Sequence, residues 1–178
     1  LGRLVCSRDR AGLTTYYLYD AMGRVVKAFD NADNEMAYAY DERGSLTEQK
    51  DTIGRTAAYE YDIFGRIVRS TGIDTAVTSY SYNARNDLVG ILDAEEKSTT
   101  YEYDGAGNLI KTTEPGEAVY QYVYDKLNRL AKKVNPLGAE TLYASNKDSS
   151  LTGKTDGNGV QTGNEYTFNA ESYNPNIQ

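Results

Sequence analysis

Tyrosines one residue apart recur every 21 residues along this chain, at Tyr17/Tyr19, Tyr38/Tyr40, Tyr59/Tyr61, Tyr80/Tyr82, Tyr101/Tyr103 and Tyr122/Tyr124. A fixed period of this length marks an array in which each small unit must stack on its neighbours to bury its apolar face. Spacing of two within a pair puts both rings on one side of a β-strand. Tyr143 continues the first column. Beyond it the register slips by two residues, to Tyr166 and Phe168, and the tail from Glu171 carries no further match.

Each pair is followed by a turn such as Asp20-Ala-Met-Gly23-Arg24 or Asp62-Ile-Phe-Gly65-Arg66. The fourth turn position reads Gly2, Gly23, Gly44, Gly65, Asn86, Gly107, Asn128 and Ser149, mostly the residues that enter the left-handed backbone region at least cost. Aspartate at the first position can accept from the backbone two residues on, so the unit reads as a type I turn closed by a glycine bulge. Asp20 then lies opposite Arg24, Tyr19 faces Val25, and Tyr17 is expected to face Lys27. The column Leu4, Val25, Leu46, Ile67, Leu88, Leu109, Leu130 and Leu151 is aliphatic throughout, as suits residues packed beside tyrosine rings. Leu18, Ala39, Glu60, Ser81, Glu102 and Val123, which stand between the paired tyrosines, suit a wetter opposite face.

A second turn joins successive hairpins, at Asp9-Arg-Ala-Gly12, Asp51-Thr-Ile-Gly54, Asn135-Pro-Leu-Gly138 and Asp156-Gly-Asn-Gly159. Strand side chains alternate between faces, so an odd period keeps all tyrosines on one side only if something shifts the pairing by one residue. The expectation places that shift in the second connection, as a four-residue loop or an added bulge, and pairs Val25 with Tyr40 as well as with Tyr19. The fold class is all-β: an antiparallel meander of about 16 short strands forming a twisted, curved open strip. Residues 1–169 read as the repeat array and 170–178 as a tail that opens whatever follows, with Asn174-Pro175 near its start. The chain begins at Leu1 with Gly2 already in register, which is expected of a fragment of a longer protein.

The net charge of −7 and the scattered Lys and Arg argue against a nucleic-acid partner. One cysteine, Cys6, cannot make an internal disulfide, and it shares a variable column with Lys27, Glu48 and Arg69. The chain has no histidine, which removes Ser-His and Cys-His nucleophilic sites. Asp20, Asp41, Asp62, Asp104 and Asp125 read as turn formers rather than as general acids. The segment Asp30-Asn-Ala-Asp33-Asn-Glu35 and Asp156-Gly-Asn158 lack the ligand alternation of a calcium loop, and Gly105-Ala-Gly107 has no following helix to cradle phosphate. No catalytic, metal or cofactor site is expected.

The pattern Tyr-x-Tyr-Asp-x-x-Gly-Arg followed by an aliphatic residue, as in Tyr17-Leu-Tyr-Asp-Ala-Met-Gly-Arg-Val25 and Tyr59-Glu-Tyr-Asp-Ile-Phe-Gly-Arg-Ile67, resembles the YD repeat of the Rhs family. The resemblance spans residues 2–169, and Asn83, Asn86/Asp87, Asn146 and Ser149 depart from it. It implies kinship with bacterial Rhs proteins, insecticidal toxin-complex shell subunits and teneurins, which wind such repeats into hollow β-shells. In the bacterial members the shell encloses a C-terminal toxin.

The resulting expectation is a non-enzymatic scaffold from a secreted or cell-surface protein of a bacterium. Its partners would be a C-terminal toxin or core domain and further copies meeting it at strand edges or sheet faces. The rival expectation is an adhesion module that stacks glycans on Tyr59, Tyr61, Tyr80, Tyr82, Tyr101 and Tyr103.

Overall fold

The computed structural model describes residue 3 and residues 5–163. Gly2, Leu4, Tyr166, Phe168 and the 170–178 tail, all named in the sequence reading, lie outside the described residues. The chain divides into two compact units, Leu1–Ser98 and Thr99–Gln178. Among the described residues every element is a strand, 16 in all, and within each unit the strands pair antiparallel in chain order in an open sheet.

The first unit holds β1 (Cys6–Arg8), β2 (Thr14–Tyr19), β3 (Val25–Asp30), β4 (Glu35–Tyr40), β5 (Leu46–Asp51), β6 (Thr56–Tyr61), β7 (Ile67–Thr71), β8 (Val77–Tyr82) and β9 (Leu88–Leu92). The second holds β10 (Ser98–Tyr103) but for its first residue, then β11 (Leu109–Glu114), β12 (Ala118–Tyr124), β13 (Leu130–Val134), β14 (Glu140–Ser145), β15 (Leu151–Thr155) and β16 (Gln161–Thr162).

The turn after each tyrosine pair is the expected one. The Asp20 N–H donates to the Arg24 carbonyl at 2.9 Å and the Gly23 N–H to the Asp20 carbonyl at 3.0 Å. The fourth position has positive φ even where it is not glycine: 71° at Asn86, 58° at Asn128 and 64° at Ser149. The turn between hairpins is not the longer loop foreseen. At Asp30 the N–H again donates to the residue four on, the Asn34 carbonyl at 3.0 Å, and Asp33 takes φ 61°. Both edges of the sheet therefore use nearly one turn, and Asp30 of the suspected calcium segment is a turn former, accepting from the Ala32 and Asn34 amides at 2.8 and 3.0 Å.

The one-residue shift required by the odd period sits elsewhere. Tyr19 opposes Val25 as expected, but Leu18 opposes Lys27 and Tyr17 opposes Ala28, so Val26 is an extra residue in the returning strand. Seven tyrosine hairpins carry the same break, including Ala39/Tyr40, Glu60/Tyr61, Glu102/Tyr103 and Ala144/Ser145. The pairing of Tyr17 with Lys27 is thus corrected: a two-against-one bulge moves Lys27 to the opposite face. Val25 and Tyr40 are not register partners either, because the ladder between their strands runs from Lys27↔Ala37 to Phe29↔Glu35.

Parity then works out. Tyr17 lies opposite Ala28, Ala28 opposite Met36, Tyr38 opposite Gln49, and Gln49 opposite Ala57. The tyrosine pairs of the first unit consequently share one face. The same chain of partners through Thr112, Tyr120, Lys133 and Thr141 does so for Tyr101, Tyr103, Tyr122, Tyr124 and Tyr143 in the second.

The sheet is a single layer among the described residues. No apolar side chain is fully buried, and Thr112, set between Tyr101 and Tyr120, is the one buried residue, at 7% exposed. The tyrosine face is nonetheless the drier one: the paired tyrosines are half-buried, while Leu18, Ala39, Glu60, Ser81, Glu102 and Val123 on the other face are exposed. That other face carries cross-strand ion pairs, Lys27–Glu35 at 2.7 Å, Lys111–Glu102 at 2.8 Å and Lys132–Glu140 at 2.8 Å. Pairs this exposed contribute little stability and mark a solvated surface.

Candidate functional site: the fastening between hairpins

With no second layer, each hairpin must be held by the one beside it, and the residues of the repeat motif are those that do so. The second tyrosine of a pair reaches back 15 residues. The phenols of Tyr40, Tyr61 and Tyr82 donate to the carbonyls of Val25, Leu46 and Ile67 at 2.8, 2.9 and 2.9 Å. Those carbonyls belong to the first residue of each bulge, where the backbone ladder is interrupted. The tyrosine hydroxyl takes the place of the missing ladder donor, and a phenylalanine at these positions would lack it.

The first tyrosine of a pair reaches back ten residues, toward a side chain. The phenols of Tyr17 and Tyr80 lie 3.4 Å from the hydroxyls of Ser7 and Ser70, and Gln49 donates to Tyr59 at 3.3 Å. In the second unit Lys133 fills the matching column, with its ammonium 4.8 and 5.7 Å from the ring centres of Tyr120 and Tyr122.

The aspartate and arginine complete the joint. Asp20 Oδ1 accepts the Arg24 amide at 2.9 Å, and Oδ2 accepts Arg24 Nε at 2.7 Å. The other end of the same guanidinium donates to the Asp41 carbonyl in the next turn at 3.2 Å and lies 4.6 Å over the Tyr40 ring. Arg66 repeats this with Asp62 at 2.7 Å, the Asn86 side chain at 2.8 Å and the Tyr82 ring at 4.5 Å, and Arg129 with Asp125 at 2.7 Å and the Asn146 carbonyl at 2.6 Å. Only a planar, multiply donating cation can serve a carboxylate, a carbonyl and a ring face at once. On the opposite edge Asn31 exchanges bonds with the Thr14 backbone at 3.0 and 3.2 Å.

These bonds set the titration of the turn carboxylates. The Arg24 amide, followed against the effect of burial by its guanidinium, holds Asp20 below the ordinary carboxylate value. The Arg129 side chain and then its amide do the same for Asp125. At Asp62 burial acts upward, and the Arg66 guanidinium and amide more than offset it. All of this is structural stabilisation.

The tyrosines, the turn aspartates and the aliphatic column are legible in the sequence. The role of Arg24, Arg66 and Arg129 is not, although their recurrence at the fifth turn position is a signal of it. Of the candidate glycan-stacking residues, Tyr59, Tyr61, Tyr80 and Tyr82 share the face of the first unit, and Tyr101 and Tyr103 lie on that of the second. The phenols of the first four are engaged within the sheet, and Arg66 covers the Tyr82 ring. Among the described residues no group of three or more histidines, cysteines or carboxylates is placed to hold a metal ion.

A sheet of tyrosine hairpins stapled to their neighbours through bulge carbonyls and, at Arg24, Arg66 and Arg129, through a guanidinium, defines a hairpin-repeat wall. The chain belongs to the teneurin YD-shell family, whose model matches residues 5–151. Its fold is similar to solved structures of the TcdB2–TccC3–Cdc42 complex, with a TM-score of 0.71 at 20% identity over 81% of this chain, and of the Photorhabdus luminescens Tc holotoxin pore, with 0.71 at 20% over 84%. A TcdB2–TccC3 structure matches at 0.71 and 20% over 85%. The chain spans only 9%, 9% and 10% of the length of those three chains. A search of curated proteins gave no match. None of these comparisons supports the glycan reading.

Proposed function

We propose that this chain is a length of wall in a larger YD shell that encloses or presents a C-terminal toxin or other passenger domain, and that it is not itself an enzyme. The observation that carries the reading is the arrangement of the joints. The second tyrosine and the arginine of the motif are spent on bonds to the neighbouring hairpin, so the array extends by addition, and it presents two chemically different faces. A drier tyrosine face and an outer face of exposed ion pairs suit a wall with a lined side and a solvent side.

Membership in the YD-shell family and the likeness of fold to toxin-complex proteins support this reading, as they support a secreted or surface location. The test is protease protection in the whole protein that carries these repeats. A passenger domain cleaved much more slowly when attached than when produced alone is expected. Equal cleavage rates would contradict enclosure.

A further inference from the structure

Three joints in this chain place a guanidinium in the same setting. Arg24, Arg66 and Arg129 each bond the carboxylate of their own turn at 2.7 Å, and each reaches the backbone of the next turn, at Asp41, Asn83 and Asn146. The intervening turn, 41–45, ends in Ser45 and has no arginine at that position. The Asp41 carboxylate accepts the Arg43 and Ser45 amides at 2.9 and 2.8 Å, but among the described residues no cation lies within ion-pair distance of it. The Tyr61 ring, equivalent to Tyr40 and Tyr82, has no guanidinium over it.

A shallow, open hollow of about 390 Å³ lies at this joint, lined by Asp41, Arg43, Tyr59, Tyr61 and Asp62 among others. Arg43 does not take the arginine's place. Its guanidinium donates to the Ile63 carbonyl at 2.8 Å and only distantly to that of Asp62, at 3.5 Å, and it neither pairs with Asp41 nor stacks on Tyr61. Of the carboxylates on the lining, Asp62 is paired with Arg66 and Glu60 with Arg69, so among the described residues Asp41 is the one there without a cationic partner. Burial first, then the charges of Tyr59 and Asp41, raise the Tyr61 phenol above its ordinary value. The Asn108 joint also lacks arginine, but the Asn108 amide bonds Asp104 at 2.9 Å and Asn128 at 3.0 Å and so spans the gap.

We propose that the hollow between Asp41 and Tyr61 binds the guanidinium of an arginine side chain carried by a second polypeptide. The ligand class is read from the filled joints of the same chain: a carboxylate and a backbone carbonyl at all three, and an aromatic face at Arg24 and Arg66. The inference goes beyond the scaffold reading and does not depend on enclosure of a passenger.

The test is NMR titration of the full chain, labelled at the tyrosine rings, with N-acetyl-arginine amide, then with a short arginine-bearing peptide, and with N-acetyl-lysine amide as comparison. The expected result is a saturable shift of Tyr61, with Tyr40 and Tyr82 unmoved and the lysine compound about tenfold weaker. Asp41→Asn, which keeps the turn because Asn83 and Asn146 serve the same position, should weaken binding by about tenfold. Ser45→Arg should abolish it and raise the melting temperature. Uniform shifts of all rings, an undiminished response in Ser45→Arg or Asp41→Asn, or binding seen only after Arg43→Ala would overturn the proposal.

Discussion

The tyrosine hydroxyl at the second position of each pair makes the difference between a repeat that fastens to its neighbour and one that merely lies beside it. Replacing Tyr61 by Phe leaves the ring but strips the donor from the part-buried Leu46 carbonyl, and the expected loss is about 1 kcal/mol in chemical denaturation. Thr75 is strained in the opposite sense, a β-branched residue at φ 68° in a turn whose counterparts at Gly54 and Gly138 are glycines. Thr75→Gly should therefore stabilise the chain by about 1 kcal/mol in the same assay, less the entropy glycine adds to the unfolded state.

The turn carboxylates give a pH dependence whose sign follows from their direction of shift. Asp20, Asp30, Asp41, Asp104 and Asp125 bind protons more weakly in the folded chain than at the ordinary 3.8, so the unfolded chain takes up more protons on acidification. Their stabilisation is complete above that value and is lost as pH falls below it, which thermal melts between pH 6 and about 2 will show. Tyr61 and Tyr124 are raised, chiefly by burial, so their contribution is present below about pH 10 and fades as pH rises beyond it.

At the scale of the hairpin, much was legible in the sequence because the turn chemistry is local. An aspartate or asparagine followed three residues later by Gly, Asn or Ser states its own backbone geometry, and even the Asn146–Ser149 turn obeys. The bulge was not legible at its true place. Parity demanded one extra residue per repeat but did not say in which strand, and Val26, Thr47 and Val68 look like ordinary strand residues. The arginine staple was hidden for a different reason: its partners lie 16 or 17 residues downstream, a separation that has meaning only once the bulged register is known.

The hairpin β14–β15 should be the loosest of those described, because Ser145 stands where a second tyrosine would fasten it back and Ser150 where an arginine would fasten it forward. Amide exchange should be faster in Leu151–Thr155 than in Ile67–Thr71, whose carbonyl at Ile67 is capped by Tyr82. Equal protection would mean that the staples do not set local stability.

At the scale of the molecule, no apolar side chain among the described residues is fully buried, so the stability of this part of the chain does not come from a core. It must come from the sum of joints between adjacent hairpins, which makes the array modular within each unit. The motif then demands a strict phase: a hairpin can be removed only as a complete 21-residue step, because a slip of one residue turns its tyrosines to the ion-pair face.

Deletion tests this directly. Removing residues 41–61 joins Tyr40 to Asp62 in phase, and removing 41–60 shifts the phase by one. Circular dichroism melts of the two shortened chains beside the intact one should show the first keeping a cooperative β-sheet transition and the second losing it. Indistinguishable melts for the two deletions would contradict the account.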